Sequence, residues 1–150
     1  MHRRSTRPAP SSVAAERRLV AQVTKDTGPE LMLRRALHRA GLRYRVHLRA
    51  VTGSRREIDI AFPGAKVAIF VDGCFWHGCD EHPRSSKAHS AWWARKIAEN
   101  RSRDADTDQR LLDDGWTVIR VWEHETPSEA ADRVARAVRA RSGLRDRLLV

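Results

Sequence analysis

The sequence predicts an α/β fold, one mixed β-sheet with helices on both faces, and three observations predict it. Two segments alternate apolar and polar residues with the period of half-buried strands. A third, Lys66 to Val71, is apolar on both faces and reads as a central covered strand. Three further segments carry helix start and stop signals around apolar residues. With 150 residues, 41% of them hydrophobic, the chain can bury a single core without disulfides or obligatory assembly.

Residues 1 to 16 hold Arg3, Arg4, Arg7, two prolines and a Ser-Ser pair without apolar periodicity, and read as a flexible basic arm. A domain over residues 17–143 and a tail over 144–150 follow. The first helix opens at Thr27-Gly28-Pro29-Glu30, where Thr27 and Glu30 have capping-box spacing and Pro29 suits a first turn; it stops at Gly41. Leu42, Tyr44, Val46 and Leu48 then alternate with Arg43, Arg45, His47 and Arg49, a strand with one apolar and one basic face. After Thr52-Gly53-Ser54, Ile58, Ile60 and Phe62 form the apolar face of a second strand, and Asp59 points away from it. The Pro63-Gly64 turn makes the next strand antiparallel to the second.

Ser90 is placed to cap a long helix from Ala91 to Asp113 that Gly115 ends, and Trp116 to Trp122 reads as the fourth strand. A helix between strands three and four makes a right-handed parallel crossover. The last helix begins at Thr126-Pro127-Ser128-Glu129 and is expected to end near Gly143.

Lys and Arg number 29 against 19 Asp and Glu, a formal charge of +10. That balance favours a polyanionic partner, nucleic acid before membrane, although 25 of the 29 are Arg, as a GC-rich coding bias also yields. Six basic residues against Glu16 lie in Met1 to Lys25, so the arm with Arg17, Arg18 and Lys25 is expected to clasp DNA. Two cysteines exclude a disulfide scaffold, and no signal peptide or membrane span is visible. The expected compartment is the cytoplasm.

Between strand three and the long helix, Cys74 and Cys79 are separated by four residues and His82 follows after two more. In a reducing compartment this is a zinc pattern, with His124 the candidate fourth ligand, His77 its rival, and a structural role if the site is closed. Two cysteines acting as small hydrophobes are the bland alternative. Asp59, with the carbonyl of Val71 or the carboxylate of Asp72 on the adjacent strand, offers the oxygen ligands that suit Mg2+. His77 is suited to proton transfer near neutral pH, and Asp104 to holding metal-bound waters. More blandly, Glu30 serves as a capping residue and Asp104 belongs to an exposed, ion-paired helix face. Phe75 and Trp76, in a loop flanked by glycines, suit either packing on the zinc site or stacking on bases.

At Val71-Asp72-Gly73-Cys74-Phe75-Trp76-His77-Gly78-Cys79 and Trp122-Glu123-His124 the sequence resembles the very short patch repair (Vsr) DNA mismatch endonucleases. The similarity runs from about Lys25 to Glu125 and takes in Lys25 to Glu30 and Glu99 to Asp104. It implies a restriction-endonuclease-like fold of the PD-(D/E)xK type and an enzyme that nicks DNA 5′ to the thymine of a T:G mismatch. By matching position it implies Mg2+ on Asp59 and the Val71 carbonyl, His77 as the catalytic histidine, and Glu30 and Asp104 assisting through the metal-water network. Phe75 and Trp76 then form an aromatic wedge, and Cys74, Cys79, His82 and His124 the structural zinc site.

This sequence departs from the family pattern at several points. The segment Gly53 to Asp59 is longer than the usual one and lacks its proline; Asp72 stands where some relatives have His; Cys74 stands where other nucleases of this fold carry a Lys that the Vsr group also lacks. Where several members place a wedge methionine in the arm, this chain offers Leu19 or Val20. The resemblance makes double-stranded DNA with a T:G mismatch the expected partner of a monomer, in company with mismatch-repair proteins and a cytosine methyltransferase system. A same-fold nuclease of a restriction-modification system and a catalytically silent zinc DNA-binding module are the alternatives, and the pair Asp59 and His77 argues against the second.

Overall fold

A computed structural model of the chain describes residues 26–73 and 90–148. Its elements are α1 (Gly28–Arg39), β1 (Arg45–Leu48), β2 (Ile58–Phe62), β3 (Val67–Asp72), α2 (Ser90–Asp113), β4 (Thr117–Trp122) and α3 (Pro127–Leu148). The strands lie in the order β1-β2-β3-β4, with β1 to β3 antiparallel and β3 parallel to β4. This is the mixed sheet that the turn and crossover rules predict.

Helices cover both faces. Leu33, Ala36 and Leu37 of α1 and Ala130, Ala131, Val134 and Val138 of α3 pack on Ile60, Phe62, Val67, Ile69 and Val121. On the opposite face Leu111 of α2 and Trp116 close over Ile58, Ala61, Ala68 and Phe70. β3 contributes to both cores, Val67 and Ile69 to one and Ala68 and Phe70 to the other, as its two-sided apolar sequence requires.

Two helix ends use the same stop. At α1, Gly41 at φ +79° lets the Leu42 N–H reach the Leu37 carbonyl (3.1 Å) and its own N–H reach His38 (3.0 Å). At α2, Gly115 does the same with Trp116 to Leu111 (2.9 Å) and its own N–H to Leu112 (3.0 Å). In both cases the residue after the glycine joins the same apolar core as the side chain of the residue whose carbonyl accepts its N–H, which locks the chain's exit.

Three sequence expectations are corrected. α3 does not end at Gly143 but runs to Leu148, so most of the expected tail is helical; a helical glycine costs only about 1 kcal/mol and no breaker follows it. Ser90 is the first helical residue of α2 rather than its cap. The strict alternation of the first two strands also fails. Leu42 and Tyr44 pack on the α1 and α3 face but Leu48 on the α2 face, and Ile60 and Ile58 divide in the same way. The change of face falls at His47, whose φ of +51° is left-handed, and across from it at Asp59, leaving Val46 40% exposed.

Candidate active site

That change of face builds the site. The β2 and β3 ladder runs Phe62 with Val67, Ala61 with Ala68 and Ile60 with Ile69. One step further the Asp59 side chain takes over, its Oδ2 accepting the Val71 N–H at 2.9 Å. A backbone acceptor is thus replaced by a carboxylate fixed in the plane of the sheet. Asp59, Val71 and Asp104 line one polar cleft of about 230 Å³, together with Glu57, Asp72 and Arg120.

Burial pushes the Asp59 carboxyl up to about 6; the Val71 N–H opposes the rise, and the charges of Glu30 and Asp72 add to it. A carboxylate with one hydrogen bond keeps further lone-pair sites, and such a buried anion gains most from a cation. The donors here are hard oxygens, a carboxylate and a neighbouring main-chain carbonyl, so the residues present fit Mg2+.

The longer segment before Asp59 is pinned from outside. Arg56 Nη1 donates to Asp106 Oδ2 (2.6 Å) and Thr107 Oγ1 (2.8 Å) on α2, and Glu57 faces Arg49 (3.4 Å) and His47 (3.8 Å). Ile58 and Ile60 on either side of Asp59 are fully buried, so its register is set without the proline.

Glu30 is only 2% exposed. Half of the expected capping box forms, with Thr27 Oγ1 accepting the Glu30 N–H at 3.3 Å, but the Glu30 carboxylate turns inward to Arg34 (2.5 Å). Arg34 also reaches Asp26 (2.6 Å) and His47 (3.2 Å). Asp26, Glu30 and His47 offer ligand atoms within 4.8 Å of one another, yet the guanidinium already supplies the cation among them. Glu30 therefore faces Asp59 as a fixed charge whose own partner is Arg34.

Comparison with known proteins gives the family. Residues 12–82 match the family model described as DNA mismatch endonuclease Vsr. The chain is 42% identical over 139 residues to the type II nicking enzyme V.NaeI of Lentzea aerocolonigenes, a match covering 91% of this chain and 82% of that one. It is 39% identical over 126 residues to the type II nicking enzyme V.NmeDIP of Neisseria meningitidis serogroup C (81% and 83% covered). The chain belongs to the Vsr family. Similarity extends to the DNA mismatch endonuclease Vsr of Escherichia coli strain K12, 34% identical over 106 residues (69% and 65% covered). As a Vsr-family protein it is an endonuclease acting on DNA.

In this Vsr-family chain the structure brings Asp59, Val71 and Asp104 together at one cleft and sets Glu30 behind Asp59. His124 lies apart from them, exposed in the turn after β4, its ring stacked on Trp122 (6.4 Å, 13°). Asp72 pairs with Trp122, and the Glu123 N–H donates to the Asp72 carbonyl at 2.9 Å, so His124 leaves the sheet beside the point where the chain passes toward Cys74. Cys74, Phe75, Trp76, His77, Cys79 and His82, and Arg17, Arg18, Leu19, Val20 and Lys25 of the arm, lie outside the described residues.

The largest omission of the sequence reading is Arg120. Its burial disfavours a charged guanidinium, but Asp108, Asp72 and Asp104 outweigh that and hold it firmly protonated. The signal was there: Arg120 interrupts Val118-Ile119-Arg120-Val121, and parallel pairing sets it opposite Phe70, two residues from Asp72.

Proposed function

We propose that this chain nicks one strand of duplex DNA 5′ to the thymine of a T:G mismatch, using Mg2+ held by Asp59 and the Val71 carbonyl. The observation that supports it most is Asp59 itself, buried at the parting of β2 and β3 and tethered to the Val71 amide. Mg2+, when bound, supplies Lewis acidity to the scissile phosphate and its leaving oxygen. Asp59 orients, and its proton must leave before it binds a cation. Asp104 holds waters at the cleft, Glu30 assists from behind Asp59 as a fixed charge, and His77 transfers a proton near neutral pH.

Phe75 and Trp76, with Leu19 from the arm, wedge into the stack, which a mismatched pair resists less than a matched one. Arg17, Arg18 and Lys25 grip phosphates. Zn2+ on Cys74, Cys79, His82 and His124 staples the loop after β3; the exit of β3 beside the turn that carries His124 supports this reading. Cys79→Ser is expected to lose zinc, read by elemental analysis of the purified chain.

A second reading is a nicking enzyme that serves a restriction-modification system and acts at other DNA sites. The identity to type II nicking enzymes, higher and over more of the chain than that to the Escherichia coli mismatch endonuclease, favours it. A panel of labelled duplexes with T:G, other mismatches or none, in several flanking sequences, separates the two. T:G-selective nicking in a methyltransferase's recognition sequence joins the readings, equal cutting of perfect duplex overturns the first, and binding without cutting overturns both.

A further inference from the structure

Asp72 ends β3 next to Val71, is 5% exposed, and is placed as well as Asp59 to hold a cation. Its carboxylate meets Arg120 instead, with Nη1 donating to both oxygens at 2.9 and 3.1 Å. The other edge of the same guanidinium takes Asp108 as a fork, Nε to both oxygens (3.1 and 3.0 Å) and Nη2 to Oδ1 (2.7 Å). Nη2 also reaches the Asp104 main-chain carbonyl at 3.4 Å, Nη1 lies 3.6 Å from the Asp104 carboxylate, and the plane rests 4.5 Å over the Phe70 ring. Every nitrogen of Arg120 is therefore bonded to protein, tying β3, β4 and α2 at one point; none is left to grip a phosphate.

We propose that Asp72 and Arg120 form a positioning pair that holds Asp104 against the cleft, with Asp72 engaged by the guanidinium and not a metal ligand. The proposal rests on reading the cleft as the Mg2+ site. Electrostatics give the reason for the pair. Asp59, Glu57, Asp72 and Asp104 share one small cleft; Arg120 meets Asp72 and Asp104 and Arg49 meets Glu57, while Asp59 meets the neutral Val71 N–H and is the carboxylate that receives the cation. The fork also fixes the height of α2, because Asp104 and Asp108 are one turn apart on it.

The test uses the full chain with Asp72→Asn, Arg120→Met, the double variant and Arg120→Lys. Single-turnover nicking is measured against Mg2+ concentration, and thermal unfolding with and without Mg2+. Asp72→Asn is expected to keep the half-saturating Mg2+ concentration and the Mg2+-induced rise in Tm, while nicking at saturating Mg2+ slows roughly 10- to 100-fold. The double variant should be no slower than Arg120→Met, and Arg120→Lys, which keeps the charge but not the fork, should be as slow.

A large rise in half-saturating Mg2+, or loss of the Tm shift, in Asp72→Asn makes Asp72 a ligand and overturns the proposal. Wild-type rates in Asp72→Asn or Arg120→Lys overturn it equally. If Arg120→Met does not fold, Asp72→Asn and Arg120→Lys decide. If the wild-type chain shows neither nicking nor a Mg2+ shift, the metal reading itself has failed; additive losses of Tm in the two single variants then overturn the pair, and coupled losses uphold it.

Discussion

Asp59 is a residue whose burial opposes folding and serves the site. Its carboxyl titrates near 6 in the folded chain against an ordinary value of 3.8, because burial disfavours the anion. Between those values the folded chain keeps a proton that the unfolded chain has released. Asp59 thus favours folding most at low pH, and that contribution is lost as pH rises through about 6. At pH 8 without metal the ionised carboxylate is a net cost. Asp59→Asn, which still offers an oxygen to the Val71 N–H, should stabilise the metal-free chain at pH 8 by on the order of 2 kcal/mol and give no such gain at pH 4. Paired thermal melts check this; a lower Tm for the variant at pH 8 contradicts it. Asp59 and Asp104 were legible as lone carboxylates near a strand end and on a polar helix. Arg120 was legible only as a charge interrupting an apolar strand; its role was not, because the partners Asp72 and Asp108 come beside it only in the fold.

Among the elements, the helices and central strand follow from local chemistry: caps, glycine stops and apolar spacing place α1, α2 and β3 close to where the sequence puts them. α3 ran on because a glycine with helical backbone is a weak break when nothing after it demands a turn. A Cβ at Gly143 meets nothing within 4 Å, so Gly143→Ala should stabilise the chain by up to about 1 kcal/mol in urea unfolding. A loss of stability there would show that the last turns of α3 are not helical in solution. The change of face in β1 and β2 could not be read in advance. Parity along a strand assumes an uninterrupted ladder, and a left-handed His47 opposite a side-chain acceptor at Asp59 resets it in both strands at once. The interruption that defeats the pattern is the feature that makes the cleft.

At the scale of the molecule, two apolar cores grip one sheet and leave its β3 and β4 C-terminal end to carry charge. Local stabilisation from Arg120 and Arg34 sits there, each guanidinium shared among carboxylates. The +10 balance now belongs to a DNA-cutting enzyme, and basic residues around the cleft such as Arg56 and Arg120 are paired with carboxylates, which leaves the excess to other parts of the chain. The arm is the part expected to touch phosphates. Removing residues 1–16, with Arg3, Arg4 and Arg7, should reduce the slope of log affinity against log salt for duplex DNA by about 2 to 3. An unchanged slope in fluorescence anisotropy would remove the arm from the interface.

The account turns on Asp59 as the seat of metal-dependent nicking at a mismatch. A 5′-labelled duplex with one T:G pair, incubated with Mg2+ and either the wild-type chain or Asp59→Asn, measures this most directly. The wild type should yield one product, cut 5′ to the thymine and only in that strand, while Asp59→Asn binds the duplex equally well and leaves it intact. Nicking by Asp59→Asn at the wild-type rate, or by the wild type in the presence of excess EDTA, would contradict the account.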